Sequence, residues 1–253
     1  MCASSTKRWF DEWADDYDDI LPRVREYQKL VERIVEYARV RNGDTVLDIG
    51  CGTGYLSLKL MDVAACRLVA IDLSSEMLKV FREKLYHLRS EGNDFSTGIE
   101  LGSGDCLSLP FKDETFDVIT SSVVMHHIRP ERKQIALSEI HRVLKPGGRF
   151  LLGELNFDAT GDLNDSVRLE RVMAGLTKVL STIVASLGAG VLDRMFDNAK
   201  RHLLCDDEYA ITIDMWEKLS IDAGFNPIWR EVLPSGAWGF LCLEKATCTK
   251  EQP

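Results

Sequence analysis

The chain has 253 residues, 45% of them hydrophobic, and a formal net charge of −9 from 31 basic and 40 acidic side chains. That length is enough for a sizeable core in one large domain, and the acidic balance excludes a general nucleic-acid binder. Met1 to Arg8 lack the apolar centre of a secretory leader, no window reaches the roughly 18 uninterrupted apolar residues of a membrane span, and seven scattered cysteines without a C-x-x-C pair point to reduced thiols.

The chain is therefore expected to be cytoplasmic, without stable membrane insertion and without a metal site. Residues 7–20 read KRWFDEWADDYDDI. Trp9, Phe10, Trp13 and Tyr17 recur at helical spacing among acids, which fits either a surface helix packed by its aromatic face or a lid over a ligand. Residues 23–39 predict a second helix, with Val24, Tyr27, Leu30, Val31, Ile34, Val35 and Ala38 on one face. Asn42-Gly43-Asp44 ends it. A strand over 45–49 then runs into Gly50-Cys51-Gly52-Thr53-Gly54. The glycines let a ligand approach the main chain without a Cβ in the way. The helix start beyond them offers unpaired N–H groups and a positive dipole end.

Strands and helices alternate from there. Arg67 to Ile71 is a strand ending in Asp72. Ser74 to Arg89 is a helix with Met77, Leu78, Phe81, Leu85 and Leu88 facing inward. Ile99 to Leu101 is a weak strand that runs on through Gly104 to Asp105, and Phe116 to Ser121 is a fourth. Glu131 to Leu144 is a helix with Ile135, Leu137, Ile140, Val143 and Leu144 on one side, stopped by Lys145-Pro146-Gly147-Gly148. Arg149 to Leu155 is the fifth strand. Residues 158–205 read as helical, with a break at Gly188-Ala189-Gly190. Met215 to Ala223 is a helix, and the strands Ile228 to Leu233 and Trp238 to Glu244 form a closing hairpin.

This pattern predicts an α/β fold: a doubly wound, mainly parallel seven-stranded sheet with an antiparallel C-terminal hairpin and a helical cap inserted after strand five. The expected layout within one domain over 1–253 is lid helices at 1–40, a cofactor-binding core at 45–156, the cap at 158–205 and the closing helix and hairpin at 212–245.

The glycine turn alone does not name its ligand. A dinucleotide-binding turn reads G-x-G-x-x-G/A. Here Gly50-x-Gly52-x-Gly54 places the third glycine one position early, with Tyr55 following it. The run VLDIGCGTG over 46–54 resembles motif I of the class I S-adenosylmethionine-dependent methyltransferases, in the small-molecule, ubiquinone/menaquinone C-methyltransferase-like group. Further motifs follow in that family's order: Asp72 in VAIDLS, Asp105 in GDCLSLPF, the fourth strand in FDVITSSVVMHHI, and RVLKPGGRFLL before the fifth. The resemblance covers 45–156 well, WFDEWADDYD moderately and the closing hairpin in outline.

The resemblance implies S-adenosylmethionine as cofactor, with S-adenosylhomocysteine as product. On that reading Gly50, Cys51, Gly52 and Gly54 cradle the methionine end. Asp48 either holds the glycine loop or meets the cofactor ammonium. Asp72, 22 residues after Gly50, takes both ribose hydroxyls, and Leu73 and Met77 contact the adenine faces. Asp105 accepts from the exocyclic amine, with the Cys106 N–H beside it. Tyr17 stands where the Tyr of an A-x-x-Y-D stretch reaches the cofactor carboxylate, which favours the lid. Ser121, ending the fourth strand, and Ser122 after it complete the expected cofactor set.

His126 and His127, just past that strand, are candidate bases for an acceptor proton, and each also suits a helix-start or packing role. Their adjacency argues against a shared metal. Glu154 fits either a pocket wall or a solvated strand end. His202, Tyr209 and Trp238 are further pocket candidates that suit packing better. Members that methylate nucleic-acid amino groups carry an Asn/Asp-Pro-Pro-aromatic stretch where this chain has Ser121-Ser122-Val123-Val124. The expectation is methyl transfer to a small, partly apolar acceptor. Val167, Met173, Leu176, Leu180, Ile183 and Leu187 would enclose it, or else only pack the cap on the sheet. Protein side-chain methylation and a non-catalytic cofactor-binding subunit are the alternatives.

Overall fold

A computed structural model of the chain describes residues 2–92, 98–162, 165–191 and 209–247, with side chains from residue 7 onward. Among these residues seven strands form one sheet: β1 Thr45–Ile49, β2 Arg67–Asp72, β3 Ile99–Ser103, β4 Phe116–Ser122, β5 Leu144–Leu155, β6 Phe225–Val232 and β7 Trp238–Lys245. Their order is β3-β2-β1-β4-β5-β7-β6. The first five pair in parallel, and β7 enters antiparallel between β5 and β6. The order reverses between β1 and β4. The crevice beyond the strands' carboxyl ends at such a reversal is where open α/β sheets take ligands.

The helices are α1 Cys2–Trp13, α2 Arg25–Ala38, α3 Tyr55–Val63, α4 Ser75–Ser90, α5 Pro130–Val143, α6 Ser166–Leu187 and α7 Ile213–Asp222. Strand periodicity assigns them to two cores. Val46, Leu68, Ala70 and Val118 face α2, α3 and α4; Leu47, Ile71, Ile119 and Phe150 face α5 and α7. Side-chain oxygens of Ser74, Asp165 and Thr212 cap α4, α6 and α7, each satisfying an N–H that the helix itself cannot.

Several expected elements shift. The helix expected over 7–20 stops at Trp13, and 3-10 turns at Tyr17–Asp19 and Leu21–Arg23 follow, the second containing Pro22. β5 begins at Leu144 rather than Arg149, because Leu144 pairs with Phe116 before 145–148 bulge out and Arg149 rejoins opposite Val118. On α5 the buried side chains are Lys133, Ala136, Leu137, Ile140 and Val143, while Ile135 is exposed. The second cap segment, from 192 on, lies outside the described residues. In α6 Ile183 is buried and Leu176 and Leu187 pack partly on the core, but Val167 and Met173 are exposed. Among the described residues no helix is long and apolar enough to cross a membrane.

Gly54 opens α3 with φ +88, and a Cβ there would lie 2.2 Å from the buried Phe81 ring of α4. Gly54→Ala is expected to cost about 3 kcal/mol, read as a lower urea midpoint. An unchanged midpoint would show that Phe81 yields freely.

Candidate active site

Beyond the carboxyl ends of β1, β2 and β4 lies a cavity of about 430 Å³, a size suited to a small organic ligand. One half of its wall is built by backbone and by Asp72. This residue ends β2, and its Oδ2 accepts from the Gly52 N–H at 2.8 Å while Oδ1 accepts from the Ser74 N–H at 2.8 Å. Burial pushes its carboxyl above the ordinary value against the pull of these amides. A carboxylate so held keeps lone pairs for further donors. Gly52 also lines the cavity, with φ +52, and a Cβ there would meet no protein atom within 4 Å. A side chain at that position would occupy the ligand's space. Leu73, Met77, Asp105 and Cys106 complete this half. Asp105 Oδ1 accepts from the Leu107 N–H at 2.9 Å, so it shapes its own turn as well as the wall. Burial raises the Cys106 thiol to about 12, and it stays protonated at neutral pH.

The other half comes from β4 and the segment after it: Ser122, Val123, Val124, His127, Ile128 and Arg129. His127 sits on the 3-10 turn Met125–His127. Its ring centroid is 3.9 Å from that of His126 and 5.3 Å from that of Phe10 on α1.

Lys7, Phe10 and Tyr17 bring the N-terminal segment onto the wall. Two acids fasten it. Asp11 accepts from Lys7 Nζ at 2.6 Å, Ser74 Oγ at 2.7 Å and the Glu76 N–H at 3.3 Å. Asp18 accepts from Thr53 Oγ1 at 2.6 Å and pairs with Lys84 at 2.6 Å. The aromatic face of this segment therefore covers ligand space as well as packing on the domain.

Residues 47–152 match a family model described as a methyltransferase domain. The matched stretch carries the glycine turn, Asp72 and Asp105, and so most of the cavity wall. The chain is 34% identical over 148 residues to the demethylmenaquinone methyltransferase of Symbiobacterium thermophilum, covering 56% of this chain and 55% of that one. It is 39% identical over 124 residues to the ubiquinone/menaquinone biosynthesis C-methyltransferase UbiE of an Enterobacter species, covering 48% and 47%. The chain thus spans about half the length of the relatives it matches. In fold it resembles the methyltransferase in complex with the Haloferax volcanii Trm112 methyltransferase activator, with a TM-score of 0.67 at 18% identity, over 94% of this chain and 97% of that one. It also resembles Haemonchus contortus phosphoethanolamine N-methyltransferase 2 in complex with S-adenosyl-L-methionine, with a TM-score of 0.59 at 16% identity, over 87% and 53%.

Within the methyltransferase domain the motif residues divide in two. Gly50, Gly52, Asp72, Leu73, Met77, Asp105, Cys106, Ser122 and His127 reach the cavity wall, as does Tyr17 from the N-terminal segment. Asp48, Cys51, Gly54, Ser121 and His126 do not. Gly54 is the N-cap of α3, and Cys51 is buried in the glycine loop. Ser121 Oγ is buried without a hydrogen-bond partner among the described residues. His126 is turned inward, its Nδ1 2.9 Å from Glu154 Oε2. Glu154 is neither a pocket wall nor solvated, being fully buried. Tyr209 and Trp238 are buried away from the cavity, Tyr209 donating its N–H to the His126 carbonyl and Trp238 Nε1 to Thr182 Oγ1. His202 lies outside the described residues. Among the described residues no cluster of three or more His, Cys, Asp or Glu side chains is placed to hold a metal ion.

Sequence reasoning missed Asp11, Asp18 and Lys133. Only Lys133 carried a local signal, since 133, 136, 137 and 140 share one helical face.

Asp48 accepts from Ser57 Oγ at 2.5 Å and Thr120 Oγ1 at 2.9 Å. Burial raises its carboxyl from 3.8 to about 6 despite both bonds. The folded state then holds this proton more tightly than the unfolded state does. The domain loses stability as pH rises from about 4 to about 6, by about 3 kcal/mol in all. Asp48→Asn keeps the shape and removes the titration. Its stability relative to wild type should rise across that window in urea melts; parallel curves would refute the assignment.

Proposed function

We propose that this chain transfers the methyl group of S-adenosylmethionine to a small, partly apolar acceptor and releases S-adenosylhomocysteine. The observation that supports this best is Asp72 on the cavity wall beside Gly52, with both carboxylate oxygens fixed by backbone amides and lone pairs left for two hydroxyls. The cofactor supplies a sulfonium-activated methyl group, so the protein's tasks are alignment and exclusion of water.

Each half of the wall has a part in this reading. Asp72 accepts from the ribose hydroxyls, Leu73 and Met77 flank the adenine, and Asp105 with the Cys106 N–H reads its edge. Gly50 and Gly52 leave room for the methionine end, and Tyr17 closes over it. Phe10, Val123, Val124 and Ile128 keep water from the acceptor. His127 takes the acceptor's proton on a ring nitrogen when the attacking atom must lose one. The names of the 34% and 39% identical relatives make a reduced quinone ring the first acceptor to try. The free thiols of Cys51, Cys66, Cys106 and Cys242 support a reducing, cytoplasmic setting.

Thermal shift and calorimetry with S-adenosylhomocysteine test the donor site. Wild type should be stabilised. Asp72→Ala should bind about 100-fold more weakly, as expected for losing two hydrogen bonds to a charged acceptor. Absence of any stabilisation of wild type would overturn the reading. A methyl-labelled cofactor with reduced demethylmenaquinone and a panel of phenols and amines then tests the acceptor.

A further inference from the structure

Past β4 the backbone departs from the strand at Val123, which sits at φ +58. This left-handed conformation is costly for a β-branched residue and persists only where its surroundings enforce it. The departure aims Val124 at Gly50, where a Cβ would lie 2.3 Å from the valine side chain. It also carries His127 to the cavity wall.

Two buried side chains enforce the turn. Glu154 comes from β5 with no exposure. Its Oε1 accepts from the Val124 N–H at 2.8 Å and the Met125 N–H at 2.5 Å. Its Oε2 accepts from the Leu155 N–H at 3.1 Å and meets His126 Nδ1 at 2.9 Å. Burial alone would raise this carboxyl, but His126, Lys133 and the backbone amides outweigh it and hold it below the ordinary range. An ionised carboxylate only accepts, so His126 Nδ1 carries the proton. Lys133, equally buried, reaches in from α5. Its Nζ donates to the Met125 carbonyl at 2.8 Å and lies 4.6 Å from the Trp216 ring centroid. The turn's N–H groups are thus held by an anion and its carbonyl by a lysine.

We propose that Glu154 and Lys133 are a positioning pair that clamps this strained turn and fixes the ring of His127 toward the cavity, with His126 as the spacer between them. Well-packed apolar residues often replace buried charges at no loss of stability, so the pair's gain lies in orientation. Its use in methyl transfer rests on the function proposed above; the clamp itself does not.

The test uses the full chain as wild type, Glu154→Gln and Lys133→Met. The glutamine keeps an acceptor for the Val124 and Met125 amides but places a donor opposite His126. The methionine keeps bulk against Trp216 and removes the donor to Met125. Two readouts are taken well below each melting temperature. In spectra of 15N-histidine-labelled protein, with His126→Gln for assignment, His126 should carry its proton on Nδ1 in wild type and on Nε2 in Glu154→Gln. Carbethoxylation of His127 by diethyl pyrocarbonate, followed by peptide mass spectrometry, should run about fivefold faster in both variants, because the turn opens locally. If Glu154→Gln does not fold, Lys133→Met decides. A His127 rate in folded Lys133→Met within about twofold of wild type, or an unchanged His126 tautomer in folded Glu154→Gln, overturns the clamp. Neither readout needs an acceptor or a bound cofactor. A wild type that ignores S-adenosylhomocysteine therefore sinks the proposed function alone, and unchanged His127 reactivity sinks the clamp alone.

Discussion

The carboxylate of Asp72 is the joint on which this molecule's functional end is assembled. Through one side chain, the loop after β1 and the start of α4 are registered to the end of β2 by the Gly52 and Ser74 amides. Ser74 passes the register on, capping α4 through the Met77 N–H and donating its hydroxyl to Asp11 of the lid segment. Holding a charge in so recessed a place is unfavourable, and the raised carboxyl of Asp72 reflects that. Directed N–H groups offset part of the penalty, and the remainder is the cost of keeping an acceptor ready for hydroxyls.

The two halves of the cavity are held by different means. On the β1–β2 side, main-chain amides and glycine conformations meet the single side chain of Asp72, and the wall comes from short segments that each follow a strand. On the β4–β5 side, side chains from β5 and α5 converge on a single turn, so the shape depends on residues far apart in the chain. Glu154 is 30 residues from the Val124 amide it accepts from.

That difference explains what could be read from the sequence. The strands, the doubly wound sheet and the residues of the β1–β2 half were legible because runs of apolar strand residues and the spacing from Gly50 to Asp72 are local patterns. The same motif did not separate wall residues such as Gly52 from residues that shape the loop, such as Gly54 and Cys51, because both need the same small side chains. Asp11 and Asp18 gave no local signal, since their hydroxyl partners lie 63 and 35 residues away. On α5, Ile135 was expected inside by hydrophobicity, and Lys133 was not singled out. Helical phase decided both, with Ile135 47% exposed and Lys133 0%. The second cap segment and His202 lie outside the described residues.

The attachment of the N-terminal segment would have a kinetic consequence if it covers a bound ligand. Asp11 and Asp18 are bound to hydroxyls of Ser74 and Thr53, on the two segments that flank Asp72. For a ligand that enters beneath this segment, exchange would require both charge-assisted bonds to part and both acids to find water instead. A residence time set by that exchange would be governed within the first twenty residues, where the resemblance is only moderate. Substitutions there would change how long a ligand stays more than how well it fits.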